Sequence, residues 1–141
     1  MVVFAGLNYL AVLVAAIGAF AFGAVYYGVL GKSWMAALGK TQAELKGPDG
    51  KMSPLPFVLS FIAELVMAWA LAGVLGHLGP GQVTLINGAV SAFFLWLGFV
   101  VTTIAVNNAY AHRKLALTAI DSAHWLGVLV IEGVIIGAFG V

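Results

Sequence analysis

The first 31 residues of the chain carry no charged side chain, and this restricts the possible folds more than any other feature of the sequence. A helix needs about 20 apolar residues to cross the ~30 Å hydrocarbon core of a bilayer. A signal peptide would begin with basic residues and have a shorter apolar core, so we expect a retained transmembrane helix. The stretch predicts a first span over about residues 3–30.

Three further apolar stretches follow the first one. They predict spans over about residues 55–78, 83–110 and 117–139, with a polar loop over residues 31–54. Adjacent Gly and Pro residues break helices, so Gly79-Pro80-Gly81 predicts a tight turn between the second and third spans. Thr41 and Glu44 have the spacing of a capping box, which predicts a short helix within the polar loop.

The composition indicates which solvent surrounds these helices. Only 8% of the 141 residues are charged, whereas 63% are hydrophobic. Soluble domains carry about 25% charged residues, and they need those charges on their surface. Too few charges remain here to cover a water-exposed surface, so we expect a lipid bilayer around most of it. The predicted fold class is an all-α membrane protein, a single four-transmembrane-helix bundle over residues 1–141.

The placement of the basic residues predicts how the bundle is oriented. All six Lys and Arg residues lie in two connections, which are the polar loop 31–54 and the short loop around residues 112–114. Short loops rich in Lys and Arg remain in the cytoplasm. We therefore expect a multi-pass protein of the cell (inner) membrane, with both basic loops in the cytoplasm and both termini outside.

Small residues recur every four positions along the predicted spans. The first span carries Ala11, Ala15, Ala19 and Gly23, and the row continues to Tyr27 and Gly31. The second carries Ser60, Glu64, Ala68, Ala72 and Gly76, and the fourth carries Gly133 and Gly137. Helices in lipid associate where small residues let their backbones approach closely. Such rows fit packing within one bundle or an interface between copies. Four helices enclose little space, so a transport function favours a homo-oligomer.

Ionisable residues within the spans are the strongest functional signal, because burying them in a bilayer is costly. Asp121, His124 and Glu132 fall within roughly 80° of one helix face, so they should face other helices or a wet cavity. Depth along the spans predicts two polar layers. The inner layer is Glu64, Asp121, His124 and Asn107, and the outer layer is Asn8, Asn87 and Glu132.

The inner layer has three interpretations. It could carry protons or cations, because carboxylates and imidazole exchange protons. It could instead be an interhelical polar clamp through which nothing passes. The spacing of Asp121 and His124 also suits two ligands of a metal ion, with Glu64 as a third. Two residues at this spacing do not specify a metal, so we predict neither a metal nor a cofactor.

Aromatic residues and missing motifs complete the functional prediction. Tyr26 and Tyr27 lie near a predicted span end, and the belt of aromatic residues at the membrane–water interface accounts for them. Trp125 lies deeper in its span, and we interpret it as a packing residue. The chain has no cysteine and shows no phosphate-binding loop, nucleophile elbow or zinc-protease helix. We therefore predict a small transporter or channel-like oligomer that conducts protons, cations or a solute. The alternative is a non-catalytic scaffold or accessory subunit. A lipid-modifying enzyme ranks last, and no nucleic-acid partner is expected.

Several short motifs resemble those of one known family. They are Asn8-Tyr9-Leu10-Ala11-Val12, Tyr26-Tyr27, Gly31-Lys32-Ser33-Trp34-Met35, and Asn107-Asn108-Ala109-Tyr110 followed by Arg113 and Leu117. The chain resembles DUF1761 proteins over essentially its whole length. The resemblance implies a small four-helix membrane protein of uncharacterised function, and it implies no catalytic residues.

Overall fold

Four long helices form most of the protein. The structure is a computed structural model that describes residues 6–140. Its helices are α1 (Tyr9–Leu38), α2 (Gln42–Leu45), α3 (Leu55–His77), α4 (Leu85–Leu95), α5 (Val101–Tyr110) and α6 (Leu115–Phe139). Every regular element in this range is helical, and four helices are long and apolar enough to cross a membrane, which confirms the predicted fold class. The predicted start of the first span, at Val3, lies outside the described residues.

The third membrane-length helix contains a change of helical register. A π-helical segment, Trp96–Val100, joins α4 and α5 into one continuous helix over Leu85–Tyr110. The Val101 N–H donates to the Trp96 carbonyl, and the Trp96 indole Nε1 donates to the Ser122 carbonyl of α6 at 2.7 Å. The π-helical segment is therefore anchored to α6 by the side chain of its first residue.

Helix α1 continues beyond the predicted end of the first span near residue 30 and stops only at Leu38. No proline interrupts it, and a glycine ends it. Gly39 has a left-handed φ of 76°, and its N–H donates to the Met35 carbonyl at 2.9 Å. Glycine adopts this conformation without steric cost, so it caps the helix there. The polar connection in the structure is therefore residues 39–54.

The polar connection contains the predicted short helix α2. The Thr41 N–H donates to Glu44 Oε2 at 2.7 Å, and the Glu44 N–H donates to Thr41 Oγ1 at 3.3 Å. These reciprocal bonds confirm the predicted capping box. The hydrogen bonds from the Thr41 backbone and side chain hold the pKa of the exposed Glu44 carboxyl below its usual range.

Helix α6 is the centre of the bundle. It packs against α1, α3, α4 and α5, and 44% of its most apolar stretch is buried. The corresponding stretch of Leu85–Tyr110 is only 6% buried, so the third span faces mostly outward. The buried polar residues of the bundle are consequently concentrated on α6.

The two ends of the bundle differ in chemical character. The end where α1 starts and α3 and α6 finish contains most of the hydrophobic core, and we call it the apolar end. Its core residues include Val12, Ala15, Leu71, Ala72, Leu75 and Ile136. The opposite end carries residues 39–54 and 111–114, and we call it the basic end. Lys114 Nζ donates to the Ala36 carbonyl at 3.2 Å, which ties the 111–114 loop to the last turns of α1.

The rows of small residues pack within the chain. Ala15, Ala19 and Ala68 are fully buried between helices of the same bundle. At the apolar end, Gly88 of α4 and Gly133 of α6 bring their backbones into contact, and a side chain on either would overlap the other. Packing within one bundle therefore accounts for the buried members of these rows.

Candidate functional site

Three ionisable side chains lie inside the bundle without matching hydrogen-bond partners. Glu64 is 1% exposed, His124 is 6% exposed and Glu132 is 0% exposed. Within residues 6–140, Glu64 Oε2, His124 Nδ1 and both carboxylate oxygens of Glu132 have no hydrogen-bond partner. Burying a polar group without a partner costs free energy. The three side chains therefore call for an explanation other than stability.

Glu64 and His124 approach each other beside a glycine of α1. A methyl group added at Gly23 would lie 2.9 Å from His124 Nε2 and 3.9 Å from Glu64 Oε1. Because Gly23 has no side chain, there is room beside it for Glu64 of α3 and His124 of α6. No direct hydrogen bond joins them among the described residues, although the structure brings these two predicted inner-layer residues together.

Asp121 lies one turn along α6 toward the basic end. The Tyr27 hydroxyl donates to Asp121 Oδ1 at 2.7 Å, and the Tyr26 hydroxyl donates to the Ile120 carbonyl, also at 2.7 Å. Asp121 is close enough to His124 for a charge interaction. The interfacial belt does not explain these hydroxyl groups, because both bind α6. The sequence signal for this contact is the spacing of four residues between Gly23 and Tyr27, which puts both on the same face of α1.

Aromatic rings surround the imidazole of His124. The ring centroids of Tyr27 and Trp125 lie 4.8 Å and 4.9 Å from it. Those of Tyr26 and Phe22 lie at 5.5 Å and 6.1 Å. Sequence reasoning did not include these rings in the site, because packing sets how α1 and α6 are rotated and which rings therefore face His124. They hold the imidazole in place without providing partners for its nitrogen atoms.

A cavity of about 670 Å³ lies at the basic end, next to this cluster. It lies between α1, the start of α3 and α6, and residues of the 39–54 connection contribute to its wall. Its lining residues are Tyr27, Gly31, Trp34, Met35, Gln42, Leu45, Met52, Ser53, Pro56, Phe57, Asp121, His124 and Trp125. Asp121 and His124 therefore border both the cavity and the buried interior.

Glu132 lies level with Asn87, because Gly133 and Gly88 are in backbone contact, and it also faces Glu64. The two carboxyl groups are close enough for a charge interaction. Asn8 accepts from the Ala11 N–H at 3.0 Å, and Asn87 donates to the Gln82 carbonyl at 2.8 Å. Both asparagines therefore bind backbone near their own helix starts, and no hydrogen bond links either one to Glu132 in the described part of the chain.

Asn107, expected in the inner layer, is exposed on α5. Its neighbour Asn108 faces α6 instead and donates from Nδ2 to Thr118 Oγ1 at 3.0 Å. The reason is helical rotation, since consecutive residues point about 100° apart. The structure therefore brings together Glu64, Asp121 and His124 of the predicted inner layer but leaves Asn107 outside.

The ionisable residues do not form a preassembled metal site. Within residues 6–140 no group of three His, Asp or Glu side chains is arranged to hold a metal ion. The four side chains instead form a series, Asp121, His124, Glu64 and Glu132. The middle two meet beside Gly23, and the outer members interact with them through charge. Each of these groups can bind a proton, and transfer between groups that do not touch needs water.

Comparison with known proteins places most of the chain in one family. Residues 10–137 match the model of the family described as "Protein of unknown function (DUF1761)". No curated protein and no solved structure matches the chain. Since the match covers nearly the whole sequence and agrees with the motifs noted above, the chain belongs to the DUF1761 family.

Proposed function

We propose that this protein is a small membrane transporter that moves protons through its four-helix bundle. The observation that carries the proposal is the series Asp121, His124, Glu64 and Glu132, whose last three members are buried and lack partners. Ionisable groups at membrane depth are expensive and mark ion or proton pathways by default. A purely structural clamp would pair its polar groups, whereas these groups are left unpaired.

The proposed path starts in the cavity at the basic end. A proton would bind Asp121 or His124, pass beside Gly23 to Glu64, and reach Glu132 beyond it. Imidazole and carboxylate both accept and release protons, so each step needs only a short transfer, through water where the groups do not touch. No other chemistry is required of these residues.

The path is open at one end of the bundle. The cavity gives access at the basic end, while the glycine contacts of α4 and α6 and the hydrophobic core close the apolar end. With both basic loops in the cytoplasm, as their Lys and Arg residues favour, this is an inward-open state. Transport then requires a second state in which the apolar end opens.

Proton flux into liposomes tests the proposal. Purified protein is reconstituted with an enclosed pH-sensitive dye, and a proton gradient is imposed in the presence of valinomycin and potassium. We expect wild type to dissipate the gradient faster than empty liposomes, and Glu64→Gln to reduce the excess rate at least about tenfold, since it removes one proton-binding group from the series.

The matched control is Glu44→Gln, the same chemical change in the exposed capping box, where Gln can also serve at this position. It should leave the flux unchanged. Equal flux for wild type and Glu64→Gln, or wild-type flux no greater than that of empty liposomes, would contradict the proposed path.

The second candidate is a non-catalytic scaffold or accessory subunit. The outward-facing third span supports it, because that helix buries little surface in its own chain and leaves a long face for another copy or a partner. Native mass spectrometry of the solubilised complex distinguishes the cases. A complex made only of copies of this chain supports a homo-oligomeric scaffold, and a complex with a second protein supports an accessory subunit. A monomer without any partner contradicts both of these roles.

A further inference from the structure

We propose that the cavity at the basic end is a binding site for an organic cation with an apolar body, which Asp121 holds by its charge. The site shares Asp121 and His124 with the proton path, but its occupancy does not require protons to move. Binding is therefore tested separately from flux. The inference goes beyond the proposed function because it assigns a ligand class to the cavity.

The size of the cavity fits a small molecule. Its volume of about 670 Å³ falls within the ~300–1,000 Å³ range of ligand sites in proteins. Three of the long helices and the 39–54 connection contribute to its wall, so a ligand would contact several elements at once. The space is open at one side, so a ligand can enter it from the basic end.

The charge of the lining selects a cation. Asp121 uses one carboxylate oxygen to accept from Tyr27, which leaves the other oxygen available. None of the described residues that line the cavity is Lys or Arg, so His124 is the one basic side chain of the described wall that can offset this carboxylate. His124 borders the same space, is 6% exposed, and has no partner for Nδ1. A ligand that carries a positive charge and a hydrogen-bonding group would satisfy both residues.

The walls of the cavity select an apolar, polarisable body. The rings of Tyr27, Trp34, Phe57 and Trp125 line it, and aromatic faces attract cations as well as apolar groups. Met35 and Met52 also line it, and methionine side chains adapt to ligands of different shape. The combination of several aromatic walls with one acidic residue favours a lipophilic cation over an inorganic one, which would need several oxygen ligands.

Two ions of the same shape and opposite charge test the inference. Tetraphenylphosphonium and tetraphenylborate are titrated into the protein in nanodiscs, and binding to empty nanodiscs is subtracted. We expect the phosphonium to bind one site per chain and the borate to bind at least about tenfold more weakly. Equal binding of the two ions would show a non-selective apolar cavity of the kind a lipid chain fills, and would overturn the proposal.

Three variants identify the residue responsible. Asp121→Asn should weaken phosphonium binding at least about tenfold, because it removes the charge, whereas Asp121→Glu should retain the preference for the cation. Glu64 does not line the cavity, so Glu64→Gln should bind the phosphonium as wild type does even where it abolishes proton flux. Size-exclusion profiles establish that each variant is folded. Unchanged binding by folded Asp121→Asn would contradict the assignment.

Discussion

At the apolar end of the bundle, α4 and α6 approach until the backbones of Gly88 and Gly133 are in contact, whereas at the basic end α1, α3 and α6 border a cavity of about 670 Å³. The first region is closely packed and mostly apolar, and Glu132 lies beside its glycine contact. The second contains Asp121 and His124 and leaves hydrogen-bonding capacity unused. In lipid, close packing of small residues supplies the association energy that water expulsion supplies to soluble proteins. The apolar end is thus the tight half of the bundle and can stabilise it, while the basic end is the open half and carries unpaired polar groups.

The largest expected effect breaks the tight half. Gly133→Ala places a methyl group against the Gly88 carbonyl, which is backbone and cannot rotate away. Overpacking of this kind costs about 1–3 kcal/mol, and we expect a loss near the upper end of that range. Unfolding in SDS titrations measures it. Gly28→Ala is the control, because nothing lies within 4 Å of a side chain there. It should be neutral or slightly stabilising, and equal losses for both variants would show that the glycine contact is not decisive.

A smaller effect of opposite sign is expected where the tight half meets the polar series. Glu132→Leu removes a fully buried carboxyl group without a hydrogen-bond partner in the described structure. Removing such a group should stabilise the bundle by about 1 kcal/mol or more, and it should also abolish proton flux. The same SDS titration and the liposome assay measure the two effects. Destabilisation by Leu, with Glu132→Gln tolerated, would mean that the residue has a structural polar role.

The smallest effect concerns the open half. Tyr27→Phe removes the 2.7 Å hydrogen bond to Asp121 but keeps the ring beside His124. Interhelical hydrogen bonds in membrane proteins contribute about 0.6 kcal/mol on average, so we expect a loss of that order. Tyr110→Phe is the control, because Tyr110 is 85% exposed. A loss above about 2 kcal/mol would show that the open half also depends on tight pairing.

The fold follows from the sequence because membrane helices are specified by long apolar runs. Such runs predict how many helices there are and in which order they come, and the structure has four of membrane length. They do not show where a helix ends in water, so the extension of α1 to Gly39 depended on a local glycine cap. The π-helical segment had no sequence signal, since a register change depends on packing against α6.

The site was only partly predictable. Charge inside an apolar span identifies Glu64, His124 and Asp121 without knowledge of the structure. Their neighbours depend on helix rotation, which placed Asn108 instead of Asn107 against α6. Depth alone grouped Asn8 with Glu132, but short polar side chains at a helix start bind the nearby backbone first.

The π-helical segment Trp96–Val100 has a consequence for how the third span tolerates change in length. Each residue of an α-helix turns the chain by about 100°, so the loss of one residue here would rotate α5 by that angle relative to α4. Asn108 would swing away from Thr118, whereas the glycine contact of α4 would stay where it is. The glycine contact fixes the position of α4, whereas the direction in which α5 faces depends on the length of the π-helical segment. A single insertion or deletion in that segment therefore separates what α4 and α5 each contribute to the bundle.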